Sequence, residues 1–368
     1  MRVPSLLQLD DEQHAVVDLP FRGCHVVTGA PGSGKTVMAV YRAWALATIG
    51  RRVVLLTRSN LLQQYHAQIA PDLSEAITVT TYHRWVRDFW RRHFPTDPPC
   101  TDEQGWLYDW TEIGRRCILH QVRSDTTLVV DEGQNLPNGF YRLCRILRVD
   151  VTVFADERQQ IGDEESALSE ICHLLDADMN RPALRCNRRS SREIALLAAE
   201  FQDPGDAEDP PGRSGGVPTV LSVTSLRDFM AEIARYFTAY PDRTIGIICR
   251  STFALRDVQS RMTGLGLSEL TQAYVHNDQY HNTFDFSTRP IRIVTTAGMK
   301  GLEFDSVFVP DLDAYSEDPT GVVARLRFSV LCTRAREDLY FAYRGPQEPA
   351  IIAGIPTSLL ARSQLSGG

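Results

Sequence analysis

Apolar residues recur along this chain in short, nearly unbroken runs, separated by stretches with a helical period. The runs Cys24–Thr28, Val53–Thr57, Ile77–Thr81, Leu128–Val130, Val151–Phe154, Thr244–Cys249, Ile291–Thr295, Val307–Pro310 and Leu339–Tyr343 read as strands. Several are apolar almost throughout, as strands covered on both faces should be. Between them Val37–Ala47, Leu61–Ala70, Ser190–Phe201, Leu226–Tyr240 and Phe253–Thr263 read as helices. Such alternation predicts an α/β fold with parallel sheets. Residues 202–218, rich in Pro, Gly and Asp, read as a loop.

With 368 residues the chain is long enough for two domains of ordinary size. Its net charge of −7 gives no overall footprint for nucleic acid, so any such binding needs a local patch. The eight cysteines form no C-x-x-C pair and have no histidine at metal-ligand spacing. That pattern predicts reduced thiols in a cytoplasmic protein, with neither a disulfide framework nor a zinc site. Early carboxylates in Met1–Asp11 argue against a signal peptide. No apolar run reaches the roughly 18 residues that span a bilayer, so no membrane partner is expected.

Gly29-Ala30-Pro31-Gly32-Ser33-Gly34-Lys35-Thr36 fits G-x-x-x-x-G-K-S/T between a predicted strand and a predicted helix. In that context backbone N–H groups and a helix N-terminus cradle phosphates. Gly29, Gly32 and Gly34 let the backbone wrap a phosphate without a Cβ in the way, Lys35 reaches the β- and γ-phosphates, and Thr36 offers its hydroxyl to Mg²⁺. Leu128-Val129-Val130-Asp131-Glu132 supplies a second strand end, with Asp131 for the metal and Glu132 for the attacking water. The expected cofactors are ATP and Mg²⁺.

Residues 84–125 hold four of the five tryptophans, Trp85, Trp90, Trp106 and Trp110. Two readings stand. The segment is a small helical insertion whose aromatics pack on the parent domain, or it is a surface for a partner or for bases. The first is the ordinary reading; Arg84, Arg87, Arg91 and Arg92 on one helix-like stretch lend the second some support.

Asp131-Glu132-Gly133-Gln134 is D-E-x-Q, and here the chain resembles the superfamily 1 helicases of the UvrD/Rep/PcrA type. Leu9-Asp10-Asp11-Glu12-Gln13 is similar to that family's glutamine motif, which implies that Gln13 reads adenine. Thr57-Arg58-Ser59-Asn60 and Thr80-Thr81-Tyr82-His83 resemble its strand-contacting motifs, which implies nucleic-acid contacts at Thr57, Arg58, Asn60, Thr81 and His83. Phe154-Ala155-Asp156-Glu157-Arg158-Gln159 resembles the segment whose glutamine, here Gln159, senses the γ-phosphate. Asn187-Arg188-Arg189-Ser190 resembles N-Y-R-S, with Arg188 in the adenine-stacking place and Arg189 as an arginine finger. Thr295-Thr296-Ala297-Gly298-Met299-Lys300-Gly301-Leu302-Glu303-Phe304 resembles the K-G-L-E-F motif, with Thr295 toward the strand and Glu303 at the ribose. Thr333-Arg334-Ala335 resembles T-R-A, with Arg334 as the second finger.

The resemblance implies two RecA-like P-loop NTPase domains, residues 1–183 with the Trp-rich insertion at about 84–125, and residues 184–368. It also has gaps. Only about 45 residues separate His83 from Leu128, and about 25 fill Leu265–Pro290, where larger family members carry accessory domains. Stacking aromatics are replaced too: Arg58 stands in one such place and Gly162-Asp163-Glu164-Glu165 in another. The implied function is an ATP-hydrolysing motor on single-stranded nucleic acid, DNA favoured, moving 3′-to-5′, without autonomous unwinding. The alternative is a regulatory ATPase subunit whose nucleotide-driven closure controls a protein partner such as a nuclease.

Overall fold

The structure, a computed structural model, describes residues 9–29, 32–57, 77–156, 166–177, 182–185, 190–202, 210–275, 285, 288–299 and 302–365. The chain divides into two compact units, Met1–Arg185 and Cys186–Gly368. Each is built on an all-parallel sheet, so the molecule is α/β and consistent with two RecA-like domains.

In the first unit the strands are β1 (Cys24–Gly29), β2 (Arg52–Thr57), β3 (Ile77–Thr81), β4 (Thr126–Val130), β5 (Val151–Ala155) and β6 (Ala183–Leu184). Their order across the sheet is β3-β2-β4-β5-β1-β6. The chain leaves β1 through the helix Lys35–Thr48, passes over two strand positions to β2, and later fills that gap with β4 and β5. The carboxyl ends of β1, β5 and β4 therefore stand side by side, the place where open parallel sheets bind ligands. Both β4 and β5 are buried at every position. One face of the sheet packs Val54, Leu56, Leu128, Val130 and Val153 against Trp85, Trp90 and Phe140. The other packs Val53, Leu55, Val129 and Phe154 against Met38, Ala39 and Leu46 of the helix Lys35–Thr48. This is the two-residue alternation of a pleated strand covered twice.

The Trp-rich segment grows directly out of β3. Thr81 caps the helix Tyr82–His93 by accepting from Arg84 N at 3.3 Å. Tyr82, Trp85, Val86, Phe89 and Trp90 line the inward side of that helix. A second helix, Trp110–Leu119, begins at Asp109, whose carboxylate accepts from Glu112 N at 3.0 Å. It meets the helix Asn138–Leu147 where the absence of a side chain makes room: a Cβ on Gly139 would lie 2.0 Å from Trp110 Cγ. Trp85, Trp90 and Trp110 thus follow the packing reading, whereas Trp106 is 60% exposed.

The second unit orders its strands β13-β7-β12-β11-β8-β10-β9. These are β7 (Thr219–Val223), β8 (Ile245–Cys249), β9 (Thr271–Ala273), β10 (Ile291–Thr295), β11 (Phe304–Val309), β12 (Ala335–Tyr343) and β13 (Ala361–Leu365). Helices Leu226–Ala239 and Thr252–Gly264 close one face through Phe229, Ile233, Leu255 and Val258. Gly246 admits the Phe304 ring, since a Cβ there would lie 2.2 Å from it.

Four strands escape the search for apolar runs. β6 and β9 are only two and three residues long, β7 is half-buried at two positions, and β13 is a polar edge strand with Arg362, Ser363 and Gln364 exposed. The helix expected at Leu61–Ala70 lies outside the described residues.

Candidate nucleotide site

Gly34 starts the helix Lys35–Thr48 with φ +92°, and Gly32 has φ +85°, a left-handed backbone that side chains rarely adopt. Gly34 also brings no side-chain cap to the helix start, so the first turn presents N–H groups and the positive end of the helix dipole. Gly29 at the end of β1 has no room for a side chain: a Cβ would lie 2.5 Å from Ser33 Oγ and 3.0 Å from Lys35 Cγ. The loop is thus folded tightly back on its strand.

Two links tie this loop to the neighbouring strand ends. Lys35 Nζ donates to Gly29 O at 2.8 Å and pairs with Asp156 Oδ2 at 3.1 Å, with both side chains buried. Thr36 Oγ1 donates to Asp131 Oδ2 at 3.0 Å. The sequence placed Thr36 and Asp131 at one metal, and the structure brings them together across 95 residues.

From Asp156 the links continue. Its backbone N–H donates to Gln134 Oε1 at 3.0 Å, and Gln134 Nε2 donates to Glu132 Oε2 at 2.6 Å. Glu132 itself sits at φ +55°, an uncommon conformation for a residue with a side chain, of the kind found at functional sites. The turn behind it is braced by Tyr141, whose hydroxyl donates to Gly133 O at 2.6 Å. Burial pushes the Tyr141 hydroxyl well above its ordinary pKa, which keeps that proton in place. Gly133 is required here, because a Cβ would lie 2.3 Å from Val153 Cγ1.

Gln13 is buried beside the same helix start. Asp10 and Gln13 cap each other's backbone N–H groups at 3.1 and 3.2 Å, and Gln13 Nε2 would lie 3.4 Å from a Cβ on Gly34. Asp156 and Gln134 were given no role from sequence. An acid after a strand is a weak signal by itself, and only the fold shows that this one meets the P-loop lysine.

The remaining expected residues fall elsewhere. Thr57 and Thr81 are register partners at the ends of β2 and β3, and His83 follows in the first turn of the next helix. In the second unit Thr295 Oγ1 accepts from Gly298 N at 3.2 Å, and Glu303 is buried just ahead of β11. Arg334 is 1% exposed, and its guanidinium turns into its own unit: Nε to Val330 O at 3.0 Å, Nη1 to Leu302 O at 3.1 Å and Nη2 to Thr333 Oγ1 at 3.3 Å. It thereby joins the T-R-A segment to the backbone beside Glu303. Arg58, Asn60, Gln159, Arg188 and Arg189 lie outside the described residues.

Among the described residues no cluster of three or more His, Cys, Asp or Glu could hold a metal by itself, and the described cysteines are free thiols. No helix among them is long and apolar enough to cross a membrane.

In comparison with known protein families, residues 12–165 match the family described as an AAA domain. No curated protein matches the chain. Among solved structures, the C-terminal domain of a possible DNA helicase from Lactobacillus plantarum WCFS1 is 19% identical, with 48% of this chain and 99% of that one covered at a TM-score of 0.37.

Proposed function

We propose that the chain is an ATP-hydrolysing motor that acts on single-stranded nucleic acid. The observation that carries the reading is the closed set of buried links Lys35–Asp156–Gln134–Glu132 with Thr36–Asp131. A glycine cradle, an ammonium, a hydroxyl–carboxylate pair and a second carboxylate held by an amide are the donor set that a Mg²⁺–triphosphate needs. Their fit is local: the cradle has no space for a Cβ at Gly29, and its helix start has no competing side-chain cap.

In this reading Gly32, Gly34 and Lys35 hold the phosphates, Thr36 and Asp131 hold Mg²⁺, and Gln13 faces the base. Mg²⁺ held by Thr36 and Asp131 would supply charge neutralisation to the transferred phosphate. Glu132 orients the attacking water and takes its proton. The Gln134 amide keeps that carboxylate aimed by donating to one of its oxygens. Gln159 and Arg189 carry the γ-phosphate and transition-state roles, Arg334 joins them on leaving its bonds to Val330, Leu302 and Thr333, and Arg188 and Glu303 hold the base and ribose. An arginine finger is worth about 10³–10⁵ in rate. Thr57, Arg58, Asn60, Thr81, His83 and Thr295 contact the strand, DNA favoured, with 3′-to-5′ movement.

The test is steady-state ATP hydrolysis without nucleic acid and with single-stranded DNA, single-stranded RNA and duplex, with Lys35→Ala as the blank. Stimulation by one single strand is expected and names the track. A rate indifferent to every strand refutes the motor reading and leaves a regulatory ATPase that acts on a protein partner.

A further inference from the structure

The loop between the two helices of the Trp-rich segment is a built hairpin. Thr101 N donates to Leu107 O at 2.7 Å, Asp109 N to Pro99 O at 2.9 Å, and Cys100 and Tyr108 form an antiparallel bridge. Inside its tip the Asp102 carboxylate accepts from Leu107 N at 2.6 Å and from Trp106 N at 3.1 Å. Desolvation raises the Asp102 pKa, but those two amides outweigh it and hold the group below its ordinary value, so the anchor is ionised at neutral pH.

At its base Tyr108 is buried, and its hydroxyl donates to His83 O at 2.9 Å. Burial pushes the Tyr108 hydroxyl up to about 12, so it remains a donor. The hairpin is therefore pinned to the first turn of the helix that follows β3. Its tip sets the Trp106 indole edge-to-face against the His83 imidazole, with ring centres 5.6 Å apart.

A tryptophan with 60% of its surface in water is unusual, since Trp buries most of its area in folded proteins. Here the backbone hydrogen bonds fix the indole's position while solvent keeps much of its surface. The adjoining helix Tyr82–His93 carries four arginines against a single aspartate, and Arg84, Arg91 and Arg92 are exposed; Arg84 lies 3.9 Å from Asp88 and Arg91 pairs with Asp97 at 3.0 Å, solvent-exposed ion pairs that hold weakly. The rim of the first sheet at β3 thus offers a rigid π-surface next to positive charge, which is the chemistry of a stacking platform for single strands.

We propose that Trp106, backed by His83, stacks an unpaired base of single-stranded nucleic acid, while the arginines of the adjoining helix draw in its phosphates. The proposal rests on the motor reading and extends its track beyond the threonines of the strand ends. It also supplies aromatic contact in a chain whose other expected stacking positions hold Arg58 and Gly162-Asp163-Glu164-Glu165.

The experiment is equilibrium binding of fluorescein-labelled oligodeoxythymidine and oligouridine by anisotropy, for wild type, Trp106→Ala and Trp106→Phe. Stacking on one base is worth about 1–3 kcal/mol, so Trp106→Ala raises the Kd by roughly 5- to 150-fold, and Trp106→Phe recovers most of the loss. Melting temperatures within about 2 °C of wild type show that the hairpin is intact, as expected for an exposed side chain. In a Trp44→Phe background, which removes the other exposed indole, oligonucleotide quenches the remaining exposed emission. A wild type that binds strands while Trp106→Ala binds equally well overturns this proposal and leaves the motor reading standing. A wild type that binds no strand overturns both.

Discussion

The two ends of the rim on the first sheet solve different problems. Where β1, β4 and β5 end, the side chains are buried and bonded to one another: Lys35 to Asp156, Thr36 to Asp131, and Glu132 to Gln134. Where β2 and β3 end, Thr57 and Thr81 are also buried, but the next features outward are an exposed indole and exposed arginines. A triphosphate with its metal is small and always the same shape, so a preorganised site loses nothing by being closed. A single strand is long and variable, and it is held by surfaces that accept any base in passing.

The strongest way to break this contrast is at Lys35. Lys35→Ala removes the phosphate ammonium and leaves Asp156 buried without its cation. ATP turnover should fall by on the order of 10²–10³ or more, whereas strand binding at the β3 rim should persist in anisotropy. Turnover within a few-fold of wild type refutes the P-loop assignment. Glu132→Gln separates binding from chemistry. The substituted side chain keeps a carbonyl oxygen that can accept from the Gln134 amide, so fluorescent ATP should bind within a few-fold of wild-type affinity. Single-turnover hydrolysis should fall by about 10²–10⁴, because the proton acceptor is gone. Hydrolysis at the wild-type rate removes Glu132 from its role.

Asp156→Asn probes the buried ion pair beside the P-loop. Loss of one partner of a buried ion pair costs about 3–5 kcal/mol, because the other charge stays buried without the opposing carboxylate. Without nucleotide the variant should melt well below wild type. Added MgATP should raise its melting temperature more than it raises that of wild type, since phosphate gives Lys35 a new partner. Equal gains in the two proteins argue that Lys35 never turns to the nucleotide.

The smallest expected effect concerns a buried acid of the opposite kind. Asp311, after β11, accepts from Arg250 N at 2.9 Å, and its Oδ1 has no hydrogen-bond partner among the described residues. Burial pushes its pKa up to about 6, with Asp313 adding to the rise and Arg344 opposing it. The folded state then holds this proton more tightly than the unfolded one. Stability from this group is greatest at low pH and is lost as pH rises from about 4 to 6. Asp311→Asn should melt a few degrees above wild type at pH 8, and the gap should close toward pH 4. A gap that is the same at both ends of the range shows that the Asp311 charge does not matter.

Much of the nucleotide end is legible in the sequence because backbone geometry fixes the spacing. A loop that wraps a phosphate needs glycine at set positions, and the strand before it must be apolar. The D-E-x-Q run is legible for the same reason, lying at the end of a strand buried on both faces. The Lys35–Asp156 pair is not legible, since 121 residues separate the partners and only the strand order brings β1 beside β5. Gly139 gives no local hint that it seats Trp110, nor does Asp102 show that it shapes a hairpin tip. Short or polar edge strands such as β9 and β13 carry too few apolar positions to register.

On the motor reading nucleotide and strand act on one molecule and therefore on each other's binding. The most direct measurement is the Kd of a labelled single-stranded oligonucleotide with and without a non-hydrolysable ATP analogue and Mg²⁺. Coupled sites typically shift each other's affinity about 5- to 150-fold, and nucleotide affinity must change by the same factor when the strand is saturating. A shift of the strand Kd in that range is the expected result. Strand binding with one and the same Kd in both nucleotide states would contradict the motor.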